Sequence, residues 1–522
     1  MQLGFVIDHS KCIGCHACTV ACKSENDVPL GSFRTWVKYT ETGTFPANKR
    51  SFAVLRCNQC SEPPCVDICP TVALTKGDNG IVDIDPVFCV GCKSCTMACP
   101  YDSIYINPDK GTAEKCHFCA HRVEEGLSPA CAVVCPTEAI IPGDFDDPTS
   151  RVSQMVETGG LEVRKQEAET EPNVHYKEAA PAGLEPLNTS PKDGYLWANR
   201  RPEVDPETEA FLAGLMSEDA ARTTLDVDRP MLWGWKVSSY LMTKSISAGL
   251  ILAAVPFALN SESPLRSMAM PGLFAMVFLV ITLLLLIFDL KRPERFLLLL
   301  THPNPKSWLV RGGIILTVFG VLLAVLIGAA IANASAGATA LLIACAVLAA
   351  LTAGYTASLF AQAKGRVLWM QRGLWPTLIV QAMIAGAAAL LLLRPIVGDG
   401  LGVPAGPSIL HGFLLFGLGY HLVWFAFGHK LGPRSQTADR SEEYGRTWTL
   451  FARGPRGLGL RLHLVGWICA MLALGLSASI ASEAWSAEAL PWLDMFAASL
   501  ALLGLHRVEH DFVRAGQELP IS

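Results

Sequence analysis

The long apolar runs of this chain lie almost entirely after residue 234, at roughly 235–259, 270–289, 308–331, 337–361, 374–394, 408–428, 460–482 and 488–506. Each is close to the ~20 residues that cross a hydrocarbon layer of ~30 Å, so the pattern predicts eight membrane helices. Residues 140–230 break that pattern. They are rich in Pro, Glu, Asp and Thr and hold no long apolar stretch. Gly143 to Ser150 read as turn and helix-cap chemistry ahead of a short helix around 152–157. From 177 to 228 the composition predicts an extended tether with one short helix near 206–216. The first 140 residues are different again, holding sixteen of the eighteen cysteines.

Composition adds scale to this division. Of 522 residues 51% are hydrophobic, and the mean hydropathy of +0.34 is too apolar for a purely soluble enzyme of this size. The net charge of −5 says less than its distribution. With eight spans, the cysteine-rich region and the C-terminus share one side. Loops expected there carry fifteen Lys and Arg, among them Lys291, Arg292, Arg295, Lys364, Arg366 and Arg446. The opposite loops carry only Arg266 and Arg394. That asymmetry predicts a cytoplasmic cysteine-rich domain in an inner membrane. Met1 to Asp8 run straight into the first cysteine motif, so a cytoplasmic start with no signal peptide is expected.

The cysteines carry the chemistry. Cys12, Cys15, Cys18 and Cys22 follow C-x2-C-x2-C-x3-C, and Cys89, Cys92, Cys95 and Cys99 repeat that spacing before Pro100. Cys57, Cys60, Cys65 and Cys69 follow C-x2-C-x4-C-x3-C-P, and Cys116, Cys119, Cys131 and Cys135 follow C-x2-C-x11-C-x3-C-P. Two-residue gaps bring three thiolates onto adjacent corners of one Fe4S4 cube, while the fourth cysteine points to the cube of another motif. Gly14, Ala17, Gly91 and Ser94 let backbone N–H groups approach the sulfurs. A disulfide framework does not explain the Cys-Pro endings, and structural zinc uses knuckles that only the last motif partly resembles. Four [4Fe–4S] clusters are therefore expected.

With these motifs, residues 1–176 resemble the four-cluster ferredoxin subunit of the complex iron–sulfur molybdoenzymes, the group of dimethyl sulfoxide and polysulfide reductases. Cys12-Ile-Gly-Cys15-His-Ala-Cys18, Arg56-Cys57-Asn-Gln-Cys60, Cys99-Pro-Tyr101 and Glu114-Lys115-Cys116 carry the resemblance. It implies an α+β, double bacterial-ferredoxin-like fold. It also implies the pairing of ligands: Cys12, Cys15, Cys18 with Cys135; Cys116, Cys119, Cys131 with Cys22; Cys57, Cys60, Cys65 with Cys99; and Cys89, Cys92, Cys95 with Cys69. Spacing alone permits other pairings. Asp289 to Phe296, His302 to Trp308 and Gly354 to Ser358 are similar to the NrfD/PsrC-type quinone-reactive subunit, an all-α eight-helix bundle over residues 230–510. That leaves 177–229 as linker and 511–522 as tail.

The resemblance implies menaquinone or ubiquinone bound near the cysteine-rich domain. Ionisable and polar side chains inside a membrane are expensive and mark function. They gather at that end: Tyr240 and Lys244, Asp289, Tyr355 with Thr356, Gln381, and the histidines His421, His463 and His506. The candidate quinone residues are thus Tyr355, Tyr240, Lys244, Asp289 and His463, with Tyr355 foremost by resemblance. His411 and His421 as haem ligands are disfavoured, because His411 lies near the far face. The pattern His506-Arg-Val-Glu-His510 matches a metalloprotease motif but sits at a membrane-helix end. Nothing in the chain offers a substrate site, so a separate molybdopterin-containing catalytic subunit is the expected partner, with sulfite, polysulfide or a related oxyanion as substrate. No nucleic-acid partner is expected. The rival reading, an energy-coupling membrane module with a non-molybdenum partner, requires a polar path across the bilayer. The apolar stretches 322–332 and 385–393 argue against one.

Overall fold

The computed structural model describes residues 1–43, 46–190, 221–397, 407–433, 438–454, 458–480 and 490–521. The N-terminal half is a ferredoxin-like α+β domain. Its strand β1 (Leu3–Asp8) buries Phe5, Val6 and Ile7 completely, as a strand covered on both faces must. Around it runs a sheet of order β8-β1-β10-β9, in which β8 (Ile140–Asp144) pairs antiparallel and β10 (Val174–Lys177) parallel to β1. Strand β9 (Leu161–Glu162) forms the edge. A second sheet pairs β2 (Thr35–Thr42) with β3 (Lys49–Arg56). Small hairpins follow, β4 (Leu74–Lys76) with β5 (Val82–Ile84) and β6 (Ile104–Ile106) with β7 (Ala113–Lys115).

Short helices start where the cysteine loops end: α1 (Ala17–Glu25), α2 (Pro64–Ile68), α3 (Ser94–Ala98), α4 (Ala120–Glu124) and α5 (Ala130–Val133). The loops turn through left-handed backbone at Gly14 and His16 and at Gly91 and Lys93, on either side of Cys15 and Cys92. Successive N–H groups in such a turn form a concavity suited to an anionic group. The short helix expected near 152–157 is α6 (Arg151–Thr158), capped by the Ser150 side chain, which accepts from Ser153 N at 3.2 Å.

The expected linker 177–229 is more structured than a tether. After a helical turn at Pro181–Leu184, strand β11 (Thr189–Ser190) pairs with β12 (Ala221–Leu225), which adds antiparallel to β2 with Thr223 opposite Thr40. An open sheet edge with unpaired N–H and C=O groups takes up an extended segment of suitable alternation, so the chain is tied back to the N-terminal domain before it enters the bundle. The helix expected at 206–216 lies outside the described residues.

Helices occupy the apolar segments of the second half: α7 (Trp235–Ala258), α8 (Ala269–Asp289), α9 (Trp308–Ile331), α10 (Ala338–Gln362), α11 (Leu374–Val397), α12 (Pro407–Phe427), α14 (Leu458–Ile480) and α15 (Leu490–Glu518). Among the described residues, six (α7 to α12) are long and apolar enough to cross a membrane, and the chain is a multi-pass membrane protein. Helices α7 and α11 form the centre, touching where Gly249 meets Ala382 and Gly386; a Cβ on Gly249 would lie 1.8 Å from the Ala382 carbonyl oxygen. Small residues permit this approach where no hydrophobic force drives apolar helices together.

Two expectations are corrected here. The basic stretch between α12 and α14, read as a loop, contains the amphipathic helix α13 (Ala438–Arg453), with Tyr444, Trp448 and Phe451 buried. The tail expected at 511–522 is the end of α15, which runs unbroken to Glu518 with Phe512, Val513 and Ala515 buried. Hydropathy falls after residue 506 because polar side chains enter even the packed face, Glu509, Asp511 and Gln517 being buried, while the helix itself continues.

The halves dock through the chain between α8 and α9. Lys291 N donates to Gly91 O at 3.2 Å and Arg292 N to Val90 O at 3.2 Å. Asn304 Nδ2 donates to Cys69 O at 2.8 Å, and Ser307 Oγ to Ile68 O at 2.8 Å. Gly365 lies so close to Cys99 that a Cβ would come within 2.5 Å of its carbonyl oxygen. The buried pair Arg366–Asp102 (3.2 Å) completes the seam.

Candidate metal centres and the cavity at the membrane junction

Folding gathers the sixteen cysteines into four groups, each drawing on two motifs. Cys12, Cys15, Cys18 and Cys135 line one cavity of ≈ 330 Å³. Cys22, Cys116, Cys119 and Cys131 line a second of ≈ 300 Å³, and Cys69, Cys89, Cys92 and Cys95 a third of ≈ 340 Å³. Cys57, Cys60, Cys65 and Cys99 form the fourth group, with Cys57 and Cys99 neighbours of both Cys60 and Cys65.

The donor set fits iron–sulfur clusters. Burial pushes the Cys18 and Cys99 thiols up to about 11 and Cys92 up to about 12, so they need a metal's charge to exist as thiolates. In each of the three lined cavities the sulfurs surround a space. Four thiolates on one zinc would instead converge to about 3.8 Å of one another, from the ~2.3 Å Zn–S bond. Among the described residues no three such side chains are placed to hold a single ion.

The groups also have an order. Arg56 is fully buried, donates from Nη1 to Cys131 Sγ at 3.2 Å, and is neighbour to Cys18 and Cys116. It stands between the first two cavities and lies 4.4 Å over the Phe5 ring. Lys115 is equally buried and neighbour to Cys57, Cys65 and Cys116, so it stands between the Cys22–Cys116–Cys119–Cys131 group and the Cys57–Cys60–Cys65–Cys99 group. Cys95 has Cys65 for a neighbour, which puts the Cys69–Cys89–Cys92–Cys95 group last. That last group sits on the membrane half: Arg295 Nη1 donates to Cys89 O at 3.1 Å, and Trp233 Nε1 to Cys92 O at 3.5 Å. Cys15, at the opposite end of the row, is exposed.

Against the last group opens a solvent-connected cavity of ≈ 560 Å³, lined by Lys93, Trp233, Lys236, Asp289, Lys291, His510 and Arg514 among others. Lys93 follows Cys92 directly, and its ammonium is 2.7 Å from Asp289 Oδ2. Of the candidate quinone residues, Asp289 alone lines this cavity. Tyr240 is buried behind it, within electrostatic reach of Asp289, Tyr355 and Glu509.

Tyr355 and Lys244 form a second, deeper group. The Lys244 ammonium lies 4.9 Å above the Tyr355 ring and donates to Ala353 O at 3.0 Å and Thr356 Oγ1 at 2.5 Å. Gly312 makes room for that ring, since a Cβ there would lie 2.1 Å from Tyr355 Cε2. His463 belongs to neither group and pairs with His421 at 2.9 Å. Sequence reasoning missed Lys93, His510 and Glu509. The first was hidden inside a cysteine motif, and the other two in the set-aside pattern at 506–510.

A ferredoxin-like domain with paired cysteine motifs, docked on a bundle of apolar helices, defines a membrane-bound iron–sulfur electron-transfer protein. The chain belongs to the polysulphide reductase, NrfD family, which matches residues 225–518, and the 4Fe-4S dicluster domain matches residues 49–145. It is 42% identical over 190 residues to a subunit of tetrathionate reductase from Salmonella typhimurium (36% of this chain, 76% of that protein). It is 36% identical over 224 residues to the arsenate respiratory reductase iron-sulfur subunit ArrB of a Shewanella species (34% and 96%). Protein NrfC of Escherichia coli is 44% identical over 159 residues (30% and 71%). The chain therefore combines an electron-transfer subunit with a membrane anchor.

Proposed function

We propose that the chain passes electrons between membrane quinone and a separate molybdopterin-containing catalytic subunit through four [4Fe–4S] clusters. A [4Fe–4S] cluster supplies one-electron redox chemistry. The cysteine groups would hold the clusters with the pairing described, Arg56 and Lys115 would offset their negative charge, and the exposed Cys15 end is where a catalytic partner would dock. The quinone ring, menaquinone or ubiquinone, would enter the junction cavity. There Asp289 and His510 can exchange its protons, and Tyr240 backs the site ahead of Lys244 and Tyr355. The observation that carries this reading is the row of cysteine groups ending on the Lys93–Asp289 pair at the cavity wall.

Eight helices would cross the membrane with the cluster domain on the cytoplasmic side, as the fifteen-to-two charge asymmetry favours. A cytoplasmic site favours oxidation of a substrate such as sulfite, while relatives named for tetrathionate and arsenate favour reduction of a sulfur compound or oxyanion. Anaerobic purification in mild detergent, with metal analysis and mass spectrometry of co-purifying chains, tests the assignment. About sixteen irons per chain with molybdenum or tungsten on a large partner is the expected result. Sixteen irons with neither that metal nor a large partner overturns the molybdoenzyme part and favours the energy-coupling module.

A further inference from the structure

The quinone site leaves unused a set of buried ionisable groups on α12, α14 and α15. His421 Nδ1 and His463 Nε2 lie 2.9 Å apart with both rings buried, and their outer nitrogens, His421 Nε2 and His463 Nδ1, find no hydrogen-bond partner among the described residues. His463 Nδ1 faces Gly504 of α15, where a Cβ would approach to 2.7 Å, so glycine there keeps space beside that nitrogen. Toward the cluster side α15 carries Glu509, buried, with the Ser245 side chain and the Lys244 ammonium as its neighbours. Toward the opposite face His411 Nε2 lies 2.7 Å from Asp494 Oδ1, both side chains buried.

We infer that these groups form a proton route from the Lys244–Glu509 pair, beside the quinone cavity, to the membrane face opposite the cluster domain. Burying ionisable side chains in a bundle costs energy that Leu or Ala would not. Two imidazoles joined by one hydrogen bond, with both outer nitrogens open, can take a proton at one end and release it at the other. At 1.5 Å per residue, Asp494 and Glu509 are about 22 Å apart along α15, most of a ~30 Å hydrocarbon core. Between the His411–Asp494 and His421–His463 steps, Leu414, Leu418, Ala498 and Ala501 are fully packed. That dry stretch carries a proton only when water enters it, and so blocks a standing leak.

The inference rests on the proposed quinone chemistry. Reducing one quinone to quinol takes two electrons from the clusters and two protons. The route supplies those protons from the opposite face, and quinol oxidation returns them by the same path.

The test uses the full chain, purified with its clusters and reconstituted with a quinone pool in vesicles that trap a pH-sensitive dye. Impermeant titanium(III) citrate, added outside, reduces only outward-facing clusters. Quinone reduction and lumenal alkalinisation are read separately, giving lumenal protons consumed per electron. The expected ratio is about one, set by two protons and two electrons per quinone, and collapsed by an uncoupler. In Asp494→Asn and His421→Gln the ratio falls at least fivefold, whereas a merely structural role would slow both readings and leave it unchanged. Quinone reduction with a ratio near zero in the wild type, or an unaltered ratio in both variants, overturns the route alone. No quinone reduction at all overturns the quinone reading and the route with it.

Discussion

In the N-terminal domain the fully buried large side chains include Arg56, Lys38, Lys115 and Arg164, and burial pushes Lys38 down to about 8. In the bundle the comparable positions are Trp369, Tyr444 and Lys244, while Val321, Phe416 and Leu472 are exposed on the outside. One half thus buries cations beside its apolar core of Phe5, Trp36 and Phe118, and the other is apolar at its surface. A soluble domain gains stability by burying apolar area, yet much of this one's interior is cysteine and cation, a composition that makes sense around negatively charged clusters. The bundle inverts the usual arrangement because its outer face meets lipid, where apolar exposure costs nothing.

The comparison breaks most visibly when the metal is removed. Oxidative destruction of the clusters with a chelator is expected to expose residues 1–176 to proteolysis, since the interior then holds cations without their counter-charge. Helical circular dichroism from the bundle should survive, and limited proteolysis read beside the spectrum checks both. Cys92→Ser is next in size. It removes one corner of the group against the membrane and should slow electron transfer between quinone and the other clusters by at least about a hundredfold, as expected for loss of a cluster ligand. Iron analysis and low-temperature EPR should show that loss confined to one group.

Asp289→Ala leaves the buried Lys93 ammonium unpaired at the seam. It should cost about 3 kcal/mol of docking between the halves, seen as selective release of the N-terminal domain in denaturant, with slower quinone turnover. Gly312→Ala presses a methyl on the Tyr355 ring, at a cost of about 1–3 kcal/mol for overpacking, read as a lower melting temperature of the bundle. Val321→Ala, on the lipid-facing side of α9, should change stability by no more than about 0.5 kcal/mol. A larger loss would mean that this face packs against another chain.

The ends of the elements show where local pattern stopped being informative. The six candidate spans begin and end within a few residues of the apolar runs, because the membrane reads hydropathy directly. α13 and the last turns of α15 escaped, since amphipathic helices packed under a soluble domain carry too little net hydropathy. β12 escaped as well: five residues after a polar stretch have no periodicity of their own, and their partner is a strand about 180 positions earlier in the chain. The apolar stretches of α9 and α11 did argue against a polar path through those helices. The buried histidines and carboxylates of α12, α14 and α15 came into view only when separate helices were packed side by side.

What the sequence determined by itself is chemistry with a short-range signature: sixteen cysteines at two-to-four-residue spacings, apolar runs of membrane length, and the charge asymmetry of their loops. These depend on neighbours along the chain, so no fold is needed to read them. Tertiary structure decided which cysteines face one another and that the last group touches the bundle. It also decided that Asp289 meets Lys93, and that Tyr355 lies behind the junction cavity instead of lining it. Each of these is a contact between residues tens to hundreds of positions apart, and side-chain type constrains such contacts only once packing has brought the partners within reach.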